Sequence, residues 1–229
     1  MSLSGIGMLC TRMDMNLKDD AEFNRWYDKE HMEERVRIPG FMDARRYVAI
    51  KGKPKYLNLY DAKSLAALDS PVYRKKLAKQ TDWSMKMMAK FENFHRTVGK
   101  IDVSVGFAHG AYVGFIWLQP AEGREKTLRT WIAKKFPGLI KTDDILCAHL
   151  LESDPKLSVP PPGAGGVSSK AKKANDWFVI VEGTDPAVVE KACRSVFPAK
   201  AFKEEGTAKH VSFGLYRMHG TYGARGSIG

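Results

Sequence analysis

The chain has 229 residues, with 37 Lys plus Arg against 26 Asp plus Glu for a formal net charge of +11, a length that makes one large domain or two of about 100 residues. Hydrophobic residues at 44% and charged residues at 28% give too much apolar surface for a disordered chain. The longest unbroken apolar stretch, Tyr112 to Leu118, holds seven residues, against the roughly 20 of a membrane-spanning helix.

Met1 to Met13 lacks the basic flank and continuous apolar run of a secretory signal. Cys10, Cys147 and Cys193 are odd in number and far apart, which reads as reduced, buried thiols in a cytoplasmic protein rather than a disulfide framework. A basic chain invites a nucleic-acid reading, but that requires clustering. Residues 1–103 carry 20 basic and 14 acidic residues and residues 104–229 carry 17 and 12, so the excess is spread over both halves. The runs at Lys51, Lys53 and Lys55, at Arg74 to Lys79 and at Lys170 to Lys173 read as solvated surface.

In chain order, a strand is predicted at Ile6 to Met13, a helix from Asp20 to Val36, a turn at Pro39-Gly40, a strand at Ala44 to Ile50, a turn through Gly52 and Pro54, and a strand at Tyr56 to Tyr60. Helical segments follow from Ser64 to Phe91, then a strand from Phe94 to Val103. The second half opens with a strand at Tyr112 to Leu118 and a helix from Arg124 to Lys135, ended by Pro137-Gly138, 98 residues after the first Pro-Gly. A strand at Ile145 to Leu151, a Pro/Gly-rich loop over 153–175, a strand at Trp177 to Glu182, a helix from Pro186 to Val196 and a strand from His210 to His219 complete it, and the glycine-rich tail from Gly220 frays. Each half reads βαββαβ, giving an N-terminal unit over 1–103, a C-terminal unit over 104–220 and a tail over 221–229. Such a unit is a four-stranded antiparallel sheet with its helices on one face, the ferredoxin-like arrangement. Apolar residues on both faces of Tyr112 to Leu118 call for cover on the second face as well. The expected architecture is α+β: two ferredoxin-like sheets packed face to face as a barrel with helices outside.

The segment from Phe23 through Trp26, Tyr27, Glu30, His31 and Arg35 to Pro39-Gly40-Phe41, with Ala44-Arg45-Arg46-Tyr47 after it, resembles the first helix and second strand of the dimeric α/β-barrel superfamily, most of all its EthD-like branch. Leu57 to Tyr60, Ser70 to Tyr73 and Trp83 add to the resemblance, which covers residues 1–103 well and the second half by topology only. It implies a tandem barrel imitating a homodimer, in a superfamily that includes lactone isomerases, polyketide cyclases, cofactor-free monooxygenases and haem enzymes. The second half has Trp131 but no His in its first helix, so a one-sided site is implied.

Phe23, Tyr27 and His31 stand at i, i+4 and i+8, with Trp26 and Glu30 beside them. On that stripe His31 is the candidate proton shuttle and Tyr27 the group that orients it or donates a hydrogen bond; packing of His31 in the core is the competing reading. Arg45 and Arg46 are adjacent on a strand, so one faces the helices and the other the barrel interior or solvent. An inward Arg is a natural clamp for a carboxylate, enolate or phenolate, and Trp26 and Trp83 complete the candidate substrate-binding set. Trp83, Met87, Met88 and Phe91 recur at helical spacing and read mainly as core.

No pair of His or Cys stands at zinc-ligand spacing, and no phosphate-loop or serine-hydrolase motif is present. His31, His95, His149 and His210 are undistinguished as haem ligands. An RNA-recognition module shares the element order but requires glycine-flanked aromatics on its third strand, where this chain has Tyr56-Leu57-Asn58-Leu59-Tyr60. The expectation is a cofactor-free and metal-free enzyme or binding protein for a small apolar or aromatic, anionic molecule, with a non-catalytic structural or interaction barrel as the alternative.

Overall fold

The computed structural model describes residue 3 and residues 5–160, 175–207 and 211–223. The first half supplies strands β1 (Gly7–Asp14), β2 (Phe41–Lys51), β3 (Tyr56–Ala62) and β4 (Glu92–Gly106), and the second supplies β5 (Tyr112–Leu118), β6 (Ile145–Ser153), β7 (Trp177–Gly183) and β8 (Ser212–Gly223). They close into one antiparallel barrel in the order β1-β3-β2-β8-β5-β7-β6-β4. Each half therefore keeps the ferredoxin-like strand order, and the expected α+β barrel is the observed architecture. Besides facing each other, the two sheets are hydrogen-bonded edge to edge, β2 to β8 and β4 to β6, which removes the exposed edges that two separate sheets would carry.

The two-residue period of the strands sorts side chains between three packed layers. Met8, Cys10, Leu57 and Leu59 point into the barrel and join Phe115, Phe178 and Tyr216 there. Leu9, Met13, Tyr56 and Tyr60, in the opposite phase, face the helices of the first half. The corresponding layer of the second half holds Ile116, Leu118, Val179 and Val181. Both faces of β3 and β7 are buried, so the open aromatic platform that an RNA module needs is not formed by these strands.

The helix expected over Asp20 to Val36 is continuous but not uniform. It comprises α1 (Asp20–Trp26), a π-helical turn (Tyr27–His31) and α2 (Met32–Val36), with the Met32 N–H bonded to the Tyr27 carbonyl five residues back. The helical stretch after Ser64 breaks into a 3₁₀ turn (Leu65–Asp69), α3 (Pro71–Ala78) and α4 (Asp82–Met88). Ser70 accepts the Tyr73 N–H and Thr81 accepts the Ser84 N–H, so each helix has its own N-cap. The second half carries α5 (Glu125–Leu139), α6 (Pro186–Val196), capped by Asp185, and α7 (Ala199–Glu205), which has no counterpart among the predicted elements.

Two expectations are corrected. Pro137-Gly138 does not end the helix: both residues lie inside α5, which continues to Leu139. The pairs are not equivalent, since Gly40 sits at φ +94°, where a Cβ would lie 2.6 Å from that of Ala67, while Gly138 is helical and open. The strand expected to end at His219 runs on to Gly223, with Gly220 to Gly223 paired to β2, so the fraying predicted from Gly220 is wrong for those residues. The beginning of the 153–175 loop is held to β4, since the Ser158 hydroxyl both donates to the Val98 carbonyl and accepts its N–H. The rest of that loop, His210 and residues 224–229 lie outside the described residues. The three cysteines are buried and none is in a disulfide; no described helix is long and apolar enough to cross a membrane.

Candidate functional site

Packing opens between the first helical segment and its sheet, in a pocket of about 60 Å³. Its floor is Leu9 and Thr11 of β1, Tyr60 of β3 and Arg96 of β4, and its helical wall is Tyr27, His31 and Arg35. Leu77, Met88, Phe91 and Phe94 form a partly exposed apolar rim. The π turn lies within this wall; such turns add a residue to the helical ring and re-aim side chains. Here the His31 ring lies 4.4 Å from the Trp26 ring and 5.0 Å, edge-on, from that of Tyr27.

Burial, helped by the Arg35 and Arg46 guanidiniums, pushes the His31 imidazole well below its ordinary range, so the ring is neutral near pH 7. Its Nδ1 is buried and has no hydrogen-bond partner among the described residues. Burial raises the Tyr27 hydroxyl and takes Tyr60 well above the usual range, which keeps both protonated. Tyr27 accepts from Asn58 Nδ2 at 3.3 Å, and the same amide reaches Thr11 Oγ1 at 3.2 Å. The Tyr60 hydroxyl, beside Tyr27, has no partner in hydrogen-bonding geometry.

The two candidate arginines take opposite faces, as strand alternation requires. Arg46 faces the helices: it bonds to Asp28 and, at 2.8 Å, to Asn24 Oδ1, and its guanidinium stacks 4.4 Å over the Tyr27 ring. Burial works against ionisation of Asp28, but the Tyr222 hydroxyl and Arg46 hold its carboxyl below the usual range. Arg46 thus supports Tyr27 from outside the pocket.

Arg45 faces the barrel interior. It grips Asp61 with two bonds of 3.0 and 3.1 Å, donates to the Tyr47 hydroxyl at 3.1 Å and lies 2.9 Å from His109 Nε2. His109 Nδ1 in turn lies 3.1 Å from Glu182, which also accepts the Gly110 N–H. Burial outweighs Arg45 and raises Asp61, whereas the His109 bond and Arg45 overcome burial at Glu182 and lower it. His109, Cys147 and Glu182 bring donor atoms within 4.8 Å of one another; Arg45 approaches His109 at Nε2, while Glu182 lies at Nδ1.

Trp26 packs behind His31 and donates to Glu30 and Ser84, each at 3.1 Å. Trp83 stacks under Arg25 at 5.4 Å. The structure therefore brings Tyr27 and His31 together in one pocket, with Arg46 and Trp26 directly behind them, and leaves Arg45 and Trp83 elsewhere. Of the other histidines, His149 is tied to Ser104 at 2.9 Å and His95 packs by Trp117, and neither lines the pocket beside His31.

Sequence reasoning missed Thr11, Arg35, Tyr60, Tyr73 and Arg96. Arg35 was legible as the next i+4 position after His31. Thr11 and Tyr60 share the outward phase of their strands, but which phase faced a pocket required the assembled sheet.

No family model matches the chain, and no curated protein matches it in sequence. Among solved structures it is similar to an anthrone oxidase-like protein, at 8% identity and a TM-score of 0.70, over 97% of this chain and 94% of that one. It is similar too to a candidate monooxygenase from Fusobacterium nucleatum, at 7% identity and a TM-score of 0.63 over 96% of each chain. A candidate monooxygenase from Lactobacillus acidophilus follows, at 10% identity and a TM-score of 0.59, over 96% of this chain and 97% of that one. At such identities the likeness concerns the fold: this chain is a ferredoxin-like α+β barrel.

Proposed function

We propose that this chain is a barrel of the EthD-like kind, built as a tandem repeat, that binds a small apolar or aromatic, anionic molecule under its first helical segment and moves a proton at His31. The observation that carries this reading is a neutral imidazole whose Nδ1 is buried and unpartnered, in a pocket with a hydrocarbon rim. Neutral imidazole is a competent base near pH 7. His31 would accept the proton of an activated C–H or O–H group on the ligand, and the protonated Tyr27 hydroxyl would donate to the oxygen on which charge develops. Arg46, stacked on Tyr27, acts by positioning it.

The names of the fold neighbours, an anthrone oxidase-like protein and candidate monooxygenases, fit a ligand of this class. The reading uses no cofactor. Three buried thiols outside any disulfide support a cytoplasmic setting, and the homodimer that the resemblance implies would be built on a barrel already closed within one chain.

The test is a screen of small carbon and oxygen acids against the intact protein and His31→Ala. The variant is expected to keep ligand affinity within a few-fold while losing turnover by about a hundredfold or more. Equal binding and equal turnover in both proteins would leave a non-catalytic barrel in which His31 is packing.

A further inference from the structure

We infer that Arg35 and Arg96 form a carboxylate anchor in this pocket, so that its ligand is a small organic acid with an apolar body; the inference rests on the pocket being the ligand site. Both side chains are buried, Arg35 at 3% and Arg96 at 8% exposure. Neither makes an ion pair among the described residues. Arg35 donates through Nη2 to Gln80 at 2.8 Å, and its Nη1 is buried without a partner. Arg96 reaches only neutral oxygens, the Leu157 carbonyl and, at 3.4 Å, the Tyr73 hydroxyl.

No Asp or Glu lines the pocket, and the nearby carboxylates are committed. Glu30 accepts from Trp26, Thr81 and Ser84, Glu34 pairs with Lys76, and Asp28 holds Arg46. Two guanidiniums out of water with no anion between them are costly. Arg12, also buried and with an Nη2 unpartnered among the described residues, differs in being enclosed by the faces of Phe115, Trp117 and Phe178 at 5.0–5.7 Å, whereas Arg35 borders the open space of the pocket.

The type of anion follows from a count of donors. Arg35 Nη1 has two hydrogens to give, and the Tyr60 and Tyr73 hydroxyls add one each, more than a single phenolate or enolate oxygen accepts. A carboxylate, with two oxygens and about four acceptor sites, matches them. Its apolar body would lie toward Leu77, Met88 and Phe94 at the rim.

The test titrates isobutyrate and benzoate against their isosteric amides, isobutyramide and benzamide, at pH 7.5. Binding is followed by NMR on the intact protein and on R35Q, R96Q and R35K, with circular dichroism confirming that each is folded; either Gln variant alone suffices. At least one acid is expected to bind tenfold or more tightly than its amide. R35Q and R96Q should each remove most of that difference without changing amide affinity, and R35K should restore only part of it, because lysine lacks the fork. Amides that bind as tightly as acids, or acids indifferent to R35Q and R96Q, overturn the anchor and leave the pocket standing. If neither acids nor amides perturb Thr11, Tyr27 and His31, anchor and pocket fall together.

Discussion

The two halves of the barrel share one strand order and differ in what fills the layer between helices and sheet. In the second half, α5 lies over β6 and α6 over β5 and β7, so that Leu128, Ile132 and Phe136 share one apolar cluster with Ala148, Leu150, Val179 and Val181, and the rings of Trp131, Phe197 and Phe202 close the layer at 5.1–5.8 Å. In the first half the same layer contains Thr11, Tyr27, His31, Arg35, Arg46, Asn58 and Tyr60, and five of its polar atoms, His31 Nδ1, Arg35 Nη1, Arg46 Nε, Asn58 Oδ1 and Tyr60 OH, are buried without partners among the described residues. Each such atom costs roughly 1–3 kcal/mol. One backbone plan thus supports an apolar layer on one side, flanked by an open groove at Ile116, Cys193, Phe197 and Phe213, and a polar pocket on the other, and side-chain choice at the helix–sheet interface decides between them. The π turn accompanies the polar layer, while α5 runs regularly through its own.

This contrast can be broken by substitution. The largest effect is expected from Phe136→Ala, which opens a void at a fully buried ring of the apolar layer and should lower the unfolding free energy by about 3–5 kcal/mol, read by denaturant titration; a loss under about 1 kcal/mol would mean that Phe136 is not well packed.

Acid is expected to act next. Burial lowers the interior His149 to about 4, and His31 is lowered in the same direction. Below the ordinary imidazole value of about 6.5 the unfolded chain takes up protons that the folded one refuses, so stability is whole above that pH and declines as pH falls toward 4. For His149 the decline amounts to about 3 kcal/mol, and His149→Asn should flatten it while His31→Leu removes the share of the pocket layer. A stability curve level from pH 7 to 4.5 would contradict both burials.

His31→Leu should leave stability at neutral pH unchanged or raise it by about 1 kcal/mol, since it removes a buried unpartnered nitrogen, and turnover should be lost. The smallest effect is expected for Tyr60→Phe, whose melting temperature should stay within a few degrees of the intact protein while turnover falls. A marked loss of stability in either variant would make the first-half layer a structural network rather than a site.

Much of the fold was legible because its signals are local. Alternation placed Arg45 and Arg46 on opposite faces, a proline in the first turn marked α6, and the βαββαβ order pointed to the barrel. The seams between β2 and β8 and between β4 and β6 join residues far apart in sequence, so no local pattern announces them, nor that Gly220 to Gly223 would be strand. Pro137 misled because a proline late in a helix sacrifices a single bond and need not end it. Tyr27 and His31 were found by helical spacing. Arg96 and Tyr73 were missed because they reach the pocket from other elements, and the Arg45–Asp61–His109–Glu182 network was missed because it joins four segments that meet only inside the closed barrel.

The most direct test of the account is a fragment screen by protein-observed NMR with the aromatic, histidine and arginine side chains labelled. The account expects hits to converge on Thr11, Tyr27, His31, Arg35 and Arg96 of the first half. Hits clustering on the second-half layer around Ile132 and Val179, with the His31 signals unmoved, would contradict it.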